Sequence, residues 1–79
     1  MKTVVITGSA RGLGFEMAKN FKAHDFNVVL SDINETTLAT SVKELSELGG
    51  AGKVIGVKAN VSVLEDVENL AIKAKEAFK

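Results

Sequence analysis

Short apolar runs alternate with longer amphipathic segments along the whole chain, and this alternation constrains the fold more than any other feature. The runs are rich in β-branched residues and occupy residues 2–7, 26–31 and 53–59, where we predict buried strands. Residues 12–24, 35–48 and 62–79 carry apolar side chains at helical spacing. Strands that alternate with helices form a parallel sheet through right-handed crossovers. We therefore predict an α/β fold with the order β-α-β-α-β-α.

Local residues suggest where the second and third helices begin and end. Asn34 is a predicted N-cap, and Gly49 with Gly50 forms a predicted stop after the second helix. Ser62, followed three residues later by Glu65, fits a capping box. Gly56 interrupts the third strand, and a glycine inside a strand often marks the close approach of another group.

Composition excludes several classes of function. The 79 residues allow one small domain, and no linker divides them. The absence of cysteine excludes disulfides and cysteine-based zinc sites, and a single histidine excludes multi-histidine metal sites. Ten basic residues balance ten acidic ones, which argues against general nucleic-acid binding. No apolar run has the length of a membrane span, and no signal-peptide core precedes the first strand, so we expect a cytoplasmic protein without membrane partners.

A glycine-rich turn connects the first strand to the first helix. It consists of Thr7-Gly8-Ser9-Ala10-Arg11-Gly12-Leu13-Gly14. Gly8 permits a tight turn, Gly12 allows the backbone to approach a pyrophosphate, and Gly14 allows the helix to pack closely on the sheet. The start of the helix then offers free N–H groups to phosphates. The alternative is a glycine-rich loop that serves only the turn.

An acidic residue, Asp32, closes the second strand. A carboxylate at this place can accept hydrogen bonds from the hydroxyls of an adenosine ribose. The alternative is a turn or helix-capping aspartate, since Asn34 and Glu35 follow directly. A P-loop is excluded because no lysine followed by serine or threonine ends the glycine motif.

These motifs resemble the short-chain dehydrogenase/reductase family. The glycine turn matches the family's TGxxxGxG signature, Asp32 resembles its acidic residue after the second strand, and Asn60-Val61-Ser62 resembles its Asp-Val-Ser/Thr segment. The resemblance covers nearly the whole chain and implies a Rossmann-like, three-layer fold with strand order 3-2-1.

The resemblance also implies cofactor-binding roles. It assigns the phosphate and ribose cradle to Gly8, Ser9, Ala10, Arg11, Gly12, Leu13 and Gly14. It places Asp32 and Ile33 against the adenosine ribose and adenine edge, and Asn60 and Val61 beside the adenine ring. Asn60 departs from the family's usual aspartate, but its side-chain carbonyl remains an acceptor for the adenine amine.

The preferred cofactor depends on two opposite charges. In relatives that use NADP, a basic residue such as Arg11 can meet the 2′-phosphate, whereas Asp32 repels that phosphate and favours a free 2′-hydroxyl. An arginine can swing towards solvent, while a carboxylate at a strand end cannot retreat far. We therefore predict a preference for NAD(H), with NADP(H) as a possible second cofactor.

The family's catalytic machinery is absent from these residues. Its chemistry uses a serine and a Tyr-x-x-x-Lys arrangement, and this sequence contains no tyrosine. We therefore expect residues 1–79 to be the N-terminal, cofactor-binding part of a longer Rossmann domain, inactive alone and without catalytic or metal-binding residues of its own. A bare edge on the first strand predicts self-association or domain swapping. The alternatives are a non-catalytic NAD or adenine-nucleotide-binding module and a purely structural fragment.

Overall fold

A three-stranded parallel sheet forms the centre of the protein in the computed structural model, which describes residues 2–8 and 12–78. The strands are β1 (Thr3–Thr7), β2 (Asn27–Asp32) and β3 (Val54–Lys58). They lie in the order β1-β2-β3, which is the predicted 3-2-1 arrangement counted from the opposite edge. They alternate with the helices α1 (Gly12–Ala23), α2 (Glu35–Ser46) and α3 (Leu64–Ala77), which confirms the predicted α/β order.

The central strand β2 is buried on both faces, because helices cover each side of the sheet. Val28 and Leu30 join a core cluster with residues of α1 and α2, whereas Val29 joins a second cluster with residues of α3. All three side chains are fully buried. The continuous apolar run in the sequence is therefore that of a parallel strand between two helical layers.

The described helices begin and end within two residues of the predicted positions, with two corrections to their signals. The stop predicted at Gly49 and Gly50 is wrong, because α2 ends at Ser46 with its C-cap at Glu47. Asn34 caps α2 as predicted, since its Oδ1 accepts a hydrogen bond from Thr37 N at 3.0 Å. The capping box predicted at Ser62 is wrong: α3 begins at Leu64, and Val63 at the N-cap makes no side-chain capping bond. The Ser62 hydroxyl instead donates to Asn60 Oδ1 at 2.7 Å, so a preceding turn has already engaged it.

Gly56 confirms the prediction of close approach within a strand. A Cβ built at Gly56 would lie 2.7 Å from Cγ2 of Val42 and 3.1 Å from Cγ of Leu38, both side chains of α2. The glycine therefore lets α2 pack directly on β3. None of the described helices has both the length and the apolar character that a membrane crossing requires.

The amino-terminal edge of the sheet is held by a buried lysine. Lys22, near the end of α1, is only 3% exposed, and its ammonium donates to the carbonyl oxygen of Gly50 at 2.9 Å and to that of Leu48 at 3.4 Å. Asp25 adopts a left-handed φ of 64° and accepts a hydrogen bond from Ala51 N at 2.9 Å. These contacts fasten the loop between α2 and β3 to the end of α1.

Candidate functional site

The predicted site residues that the structure describes lie at one edge of the sheet. Because the strands are parallel, their carboxyl ends meet at the same edge, the usual ligand-binding edge of open α/β sheets. The residues at this edge are Gly8, Gly12, Leu13 and Gly14 around the β1–α1 turn, Asp32 and Ile33 after β2, and Asn60 and Val61 after β3. The predicted site residues Ser9, Ala10 and Arg11 lie outside the described residues.

The β1–α1 turn needs its glycines for backbone conformation. Gly8 has a φ of 61° and Gly12 a φ of 68°, both in the left-handed region that L-residues with a Cβ rarely adopt. Among the described residues, no heavy atom lies within 4 Å of a Cβ built at either glycine. The backbone dihedral angle, and not contact with another described residue, is therefore what requires glycine at these two positions.

Asp32 ends β2 and forms a local turn. Its Oδ1 accepts a hydrogen bond from Asn34 N at 3.2 Å, and the residue is half-buried. The sequence left two roles open for Asp32, ribose binding and turn formation, and the structure shows that it forms the turn. The two roles are compatible, since a carboxylate offers about four acceptor positions on two oxygens.

Asn60 organises the turn between β3 and α3. Its Oδ1 accepts hydrogen bonds from Ser62 N at 3.0 Å and from Ser62 Oγ at 2.7 Å, while its backbone N donates to Asp66 Oδ2 at 2.8 Å. A carbonyl oxygen has two lone pairs. An adenine amine that used this oxygen as acceptor would therefore compete with Ser62, a constraint that the sequence did not reveal.

Apolar side chains remain exposed around the same edge. Leu13 in α1 is 79% exposed, Ile33 after β2 is 59% exposed, and Val61 between β3 and α3 is 57% exposed. Together with the start of α1 and the Asp32 carboxylate, they offer an apolar surface, backbone N–H groups and a hydroxyl acceptor. These groups fit the adenosine and pyrophosphate part of a dinucleotide, which combines a flat base, a ribose and two phosphates.

Lys58, a charged residue near Asp32, was not predicted from the sequence. Lys58 is the register partner of Asp32 on the neighbouring strand. The Lys58 ammonium lies 3.8 Å from Oε2 of Glu35, the first residue of α2. The alternation of side chains along β3 could have placed Lys58 beside Asp32, but only once the register between the strands was known.

Comparison with known proteins identifies the family. The sequence model described as short chain dehydrogenase matches residues 2–79. The chain belongs to the short-chain dehydrogenase family. The resemblance predicted from the glycine turn, Asp32 and the segment after β3 is thereby confirmed.

Two curated relatives are 41–42% identical to the chain over the residues that align. The diacetyl reductase [(S)-acetoin forming] of Staphylococcus epidermidis is 42% identical over 69 residues, which are 87% of this chain and 26% of the reductase. The 3beta-hydroxysteroid dehydrogenase 1 of Eggerthella lenta is 41% identical over 78 residues, 98% of this chain and 29% of the dehydrogenase. The chain therefore spans between a quarter and a third of the length of these short-chain dehydrogenases.

Solved structures of the family superpose closely on the described fold. A short-chain dehydrogenase/reductase from Burkholderia phymatum in complex with NAD aligns with a TM-score of 0.90 at 39% identity, covering 98% of this chain and 27% of that one. The L-sorbose reductase of Gluconobacter frateurii, complexed with NADPH and L-sorbose, gives a TM-score of 0.90 at 27% identity, covering 98% and 29%. The two short-chain dehydrogenases were thus crystallised with different nicotinamide dinucleotides.

Proposed function

We propose that this chain binds the adenosine and pyrophosphate part of a nicotinamide dinucleotide for an oxidoreductase. The observation that carries the proposal is the meeting, at one sheet edge, of two left-handed glycines after β1 and an acidic residue at the end of β2. The residues proposed to hold the cofactor are Gly8, Ser9, Ala10, Arg11, Gly12, Leu13, Gly14, Asp32, Ile33, Asn60 and Val61.

The proposed roles follow the chemistry of each group. N–H groups at the start of α1 would bind the pyrophosphate, aided by the positive end of the helix dipole. The oxygen atoms of Asp32 would accept hydrogen bonds from the ribose hydroxyls, and Ile33 and Val61 would pack against the adenine. When bound, the nicotinamide exchanges a hydride with an alcohol or carbonyl carbon.

We propose that residues 1–79 carry the binding step and that catalysis is performed by residues outside them. The sequence has no tyrosine, so the tyrosine acid/base used by the family cannot be supplied from within these 79 residues. The coverage of only 26% of the related diacetyl reductase supports this division. The 79-residue chain alone is then expected to bind a dinucleotide weakly and to be catalytically inactive.

Asp32 supports a preference for NAD(H) over NADP(H). It lies at the end of β2, half-buried and held in a turn by Asn34 N, so its carboxylate cannot move far from an added 2′-phosphate. The Asp32 carboxylate and a 2′-phosphate repel each other, which disfavours NADP(H) relative to NAD(H). NADP(H) remains the second possible cofactor.

Calorimetric titration with NAD⁺ and NADP⁺ tests the function and the preference together. We expect tighter binding of NAD⁺, and we expect Asp32→Ala to weaken NAD⁺ binding about tenfold, the effect of about 1.4 kcal/mol from lost charge-assisted hydrogen bonds. The control is Glu76→Gln, which removes a carboxylate at the carboxyl-terminal end of α3. This variant should bind NAD⁺ as tightly as the parent does. Tighter binding of NADP⁺ by the parent would contradict the preference, and no binding of either would contradict the function.

A non-catalytic nucleotide-binding module is the alternative, and the absence of tyrosine favours it if no further residues complete the protein. Such a module would bind NAD or an adenine nucleotide as a sensor or scaffold. An assay of NAD⁺-dependent alcohol oxidation by the natural protein separates the two, because the module would bind the cofactor without turnover.

We also propose that the isolated 79-residue chain self-associates through the outer edge of β1 or through α3. The support is the position of β1 at the edge of the described sheet. A cytoplasmic location is a further proposal. It is supported by the incorporation of the apolar run at Val4, Val5 and Ile6 into β1, which gives that run a structural role.

A further inference from the structure

A lysine that the proposed function leaves unassigned stands beside the ribose-binding carboxylate. Lys58 is the last residue of β3, and its register partner is Asp32, the last residue of β2. Neighbouring strands lie about 4.8 Å apart, so partners in register are adjacent. The last residue of β3 is therefore basic, and the neighbouring last residue of β2 is acidic.

The two side chains share one face of the sheet. Val28 and Leu30, at alternate positions before Asp32, pack in the cluster with α1 and α2. On β3, Gly56 faces α2 side chains, and Lys58 follows it by the same two-residue step. Because side chains alternate along a strand, both Asp32 and Lys58 lie on the face that α2 covers.

The present partner of Lys58 holds it only weakly. Its ammonium is 3.8 Å from Oε2 of Glu35, and the two side chains are 59% and 76% exposed. Exposed ion pairs of this kind contribute between about 0 and 1 kcal/mol. Lys58 can therefore exchange Glu35 for a more highly charged group at little energetic cost.

Space for such a group adjoins the pair. A cleft of about 350 Å³ lies between α2 and β3, and Glu35 and Lys58 are the charged residues of its lining. The first turn of α2, which begins at Glu35, follows Asp32 and Ile33 directly. Because Asp32 and Lys58 are register partners on one face of the sheet, we expect a group added to a ribose held by Asp32 to come within reach of the long Lys58 side chain.

We propose that Lys58 is a specificity-determining residue that binds a phosphate on the 2′-oxygen of the adenosine ribose. This inference rests on the proposed function, in which Asp32 holds that ribose. Asp32 repels the 2′-phosphate and Lys58 attracts it by a charge-assisted contact. Lys58 therefore reduces the difference between the affinities for NAD(H) and NADP(H), so that NADP(H) still binds.

Calorimetry with two adenine nucleotides isolates the contribution of the 2′-phosphate. The probes are AMP and adenosine 2′,5′-bisphosphate, titrated into the parent, Lys58→Gln and the matched control Lys53→Gln, which lies just before β3 at the opposite sheet edge. We expect Lys58→Gln to weaken bisphosphate binding about fivefold and to leave AMP within about twofold, with the difference shrinking as salt is raised. Lys53→Gln should bind both as the parent does. Thermal unfolding of each variant establishes that it is folded.

A second variant acts in the opposite direction. Glu35→Gln frees Lys58 from its present partner, so bisphosphate binding should tighten about twofold while AMP binding stays constant. Equal affinity of the parent and Lys58→Gln for the bisphosphate would overturn the proposal, and so would an equal loss for both nucleotides, which would indicate a role in the fold of the turn. Failure of the parent to bind AMP or NAD⁺ would instead overturn the proposed function itself.

Discussion

Single residues at the turn after β1 tie backbone conformation to ligand access. Gly8 and Gly12 have φ values of 61° and 68°, and no heavy atom of the described residues lies within 4 Å of a Cβ built at either. The requirement for glycine at these positions therefore comes from the dihedral angle. The sequence motif predicted the tight turn at Gly8, because glycine is the residue that tolerates such a conformation. The close approach of a phosphate at Gly12 stays a prediction.

Substitution of Gly12 by alanine should lower both stability and affinity. We expect a loss of about 1–2 kcal/mol in the free energy of unfolding, the cost of a left-handed residue with a Cβ, measured by urea denaturation. Binding of NAD⁺ should weaken as well, because a methyl group at Gly12 would hinder the close approach of the pyrophosphate to the backbone.

Gly49→Ala is the matched control for this substitution. Gly49 also has no atom within 4 Å of a built Cβ, and its φ lies outside the left-handed region. The free energy of unfolding of this variant should equal that of the parent or exceed it by about 0.4 kcal/mol, because alanine restricts the unfolded chain more than glycine does. Equal effects of the two alanines would show that the left-handed φ of Gly12 carries no cost.

The hydrogen-bond partner of the Asn60 side chain was not predicted from the sequence. Its position after β3 was predicted, yet its side-chain oxygen accepts two hydrogen bonds from Ser62. The spacing of Ser62 and Glu65 had instead indicated a capping box. Both arrangements satisfy the same hydroxyl, and only the path of the backbone after β3 decides between them.

At the scale of the secondary-structure elements, the connection between α1 and the α2–β3 loop depends on one charged side chain. Lys22 lies on the helical face that packs inwards, and its ammonium is satisfied by the carbonyl oxygens of Gly50 and Leu48. A Cβ at Gly50 would lie 2.2 Å from the carbonyl oxygen of Lys22, so the loop and the helix end are in direct contact. Sequence patterning expects a lysine to be exposed, and the loop path reverses this expectation.

Replacement of Lys22 by methionine should destabilise the fold. The change retains the apolar stem but leaves two carbonyl oxygens without their donor, so we expect a loss of about 1–3 kcal/mol in the free energy of unfolding. The control is Lys43→Met, which removes the same charge from an exposed position of α2. Chemical denaturation of both variants measures the difference, and a loss no larger than that of the control would refute the role of Lys22.

At the scale of the whole molecule, the two faces of the sheet are covered unequally. Helices α1 and α2 pack on one face, whereas α3 packs against β3 on the other. Val5 of β1 lies on the face of α3 and remains 43% exposed. Both the outer edge of β1 and this part of its face are consequently available for association in the 79-residue chain.

We expect the isolated chain to sediment as a dimer or larger species. If β1 forms the contact, Val5→Lys should raise the dissociation constant about tenfold, because burial of a valine contributes about 1.5 kcal/mol and about 1.4 kcal/mol corresponds to a factor of ten. Sedimentation velocity over a concentration series measures the change.

Ile72→Lys provides the comparison for Val5→Lys. It places the same charge on an apolar residue of α3 that is 57% exposed. A larger effect of Ile72→Lys would assign the contact to α3 instead, and a monomer at millimolar concentration would contradict self-association altogether.

The sequence by itself determined the order of the elements, the parallel sheet and the edge at which a ligand is expected. These features follow from the alternation of apolar runs with helical periodicity and from glycines whose conformations other residues rarely adopt. The tertiary structure decided which side chains meet across the elements: Lys58 beside Asp32, Lys22 against the loop at Gly50, and Val42 of α2 over Gly56. These contacts depend on strand register and loop path, which are set by the packing of the whole chain. Gly56 signalled a close approach in the sequence, but only the packing identifies Val42 as the group that approaches.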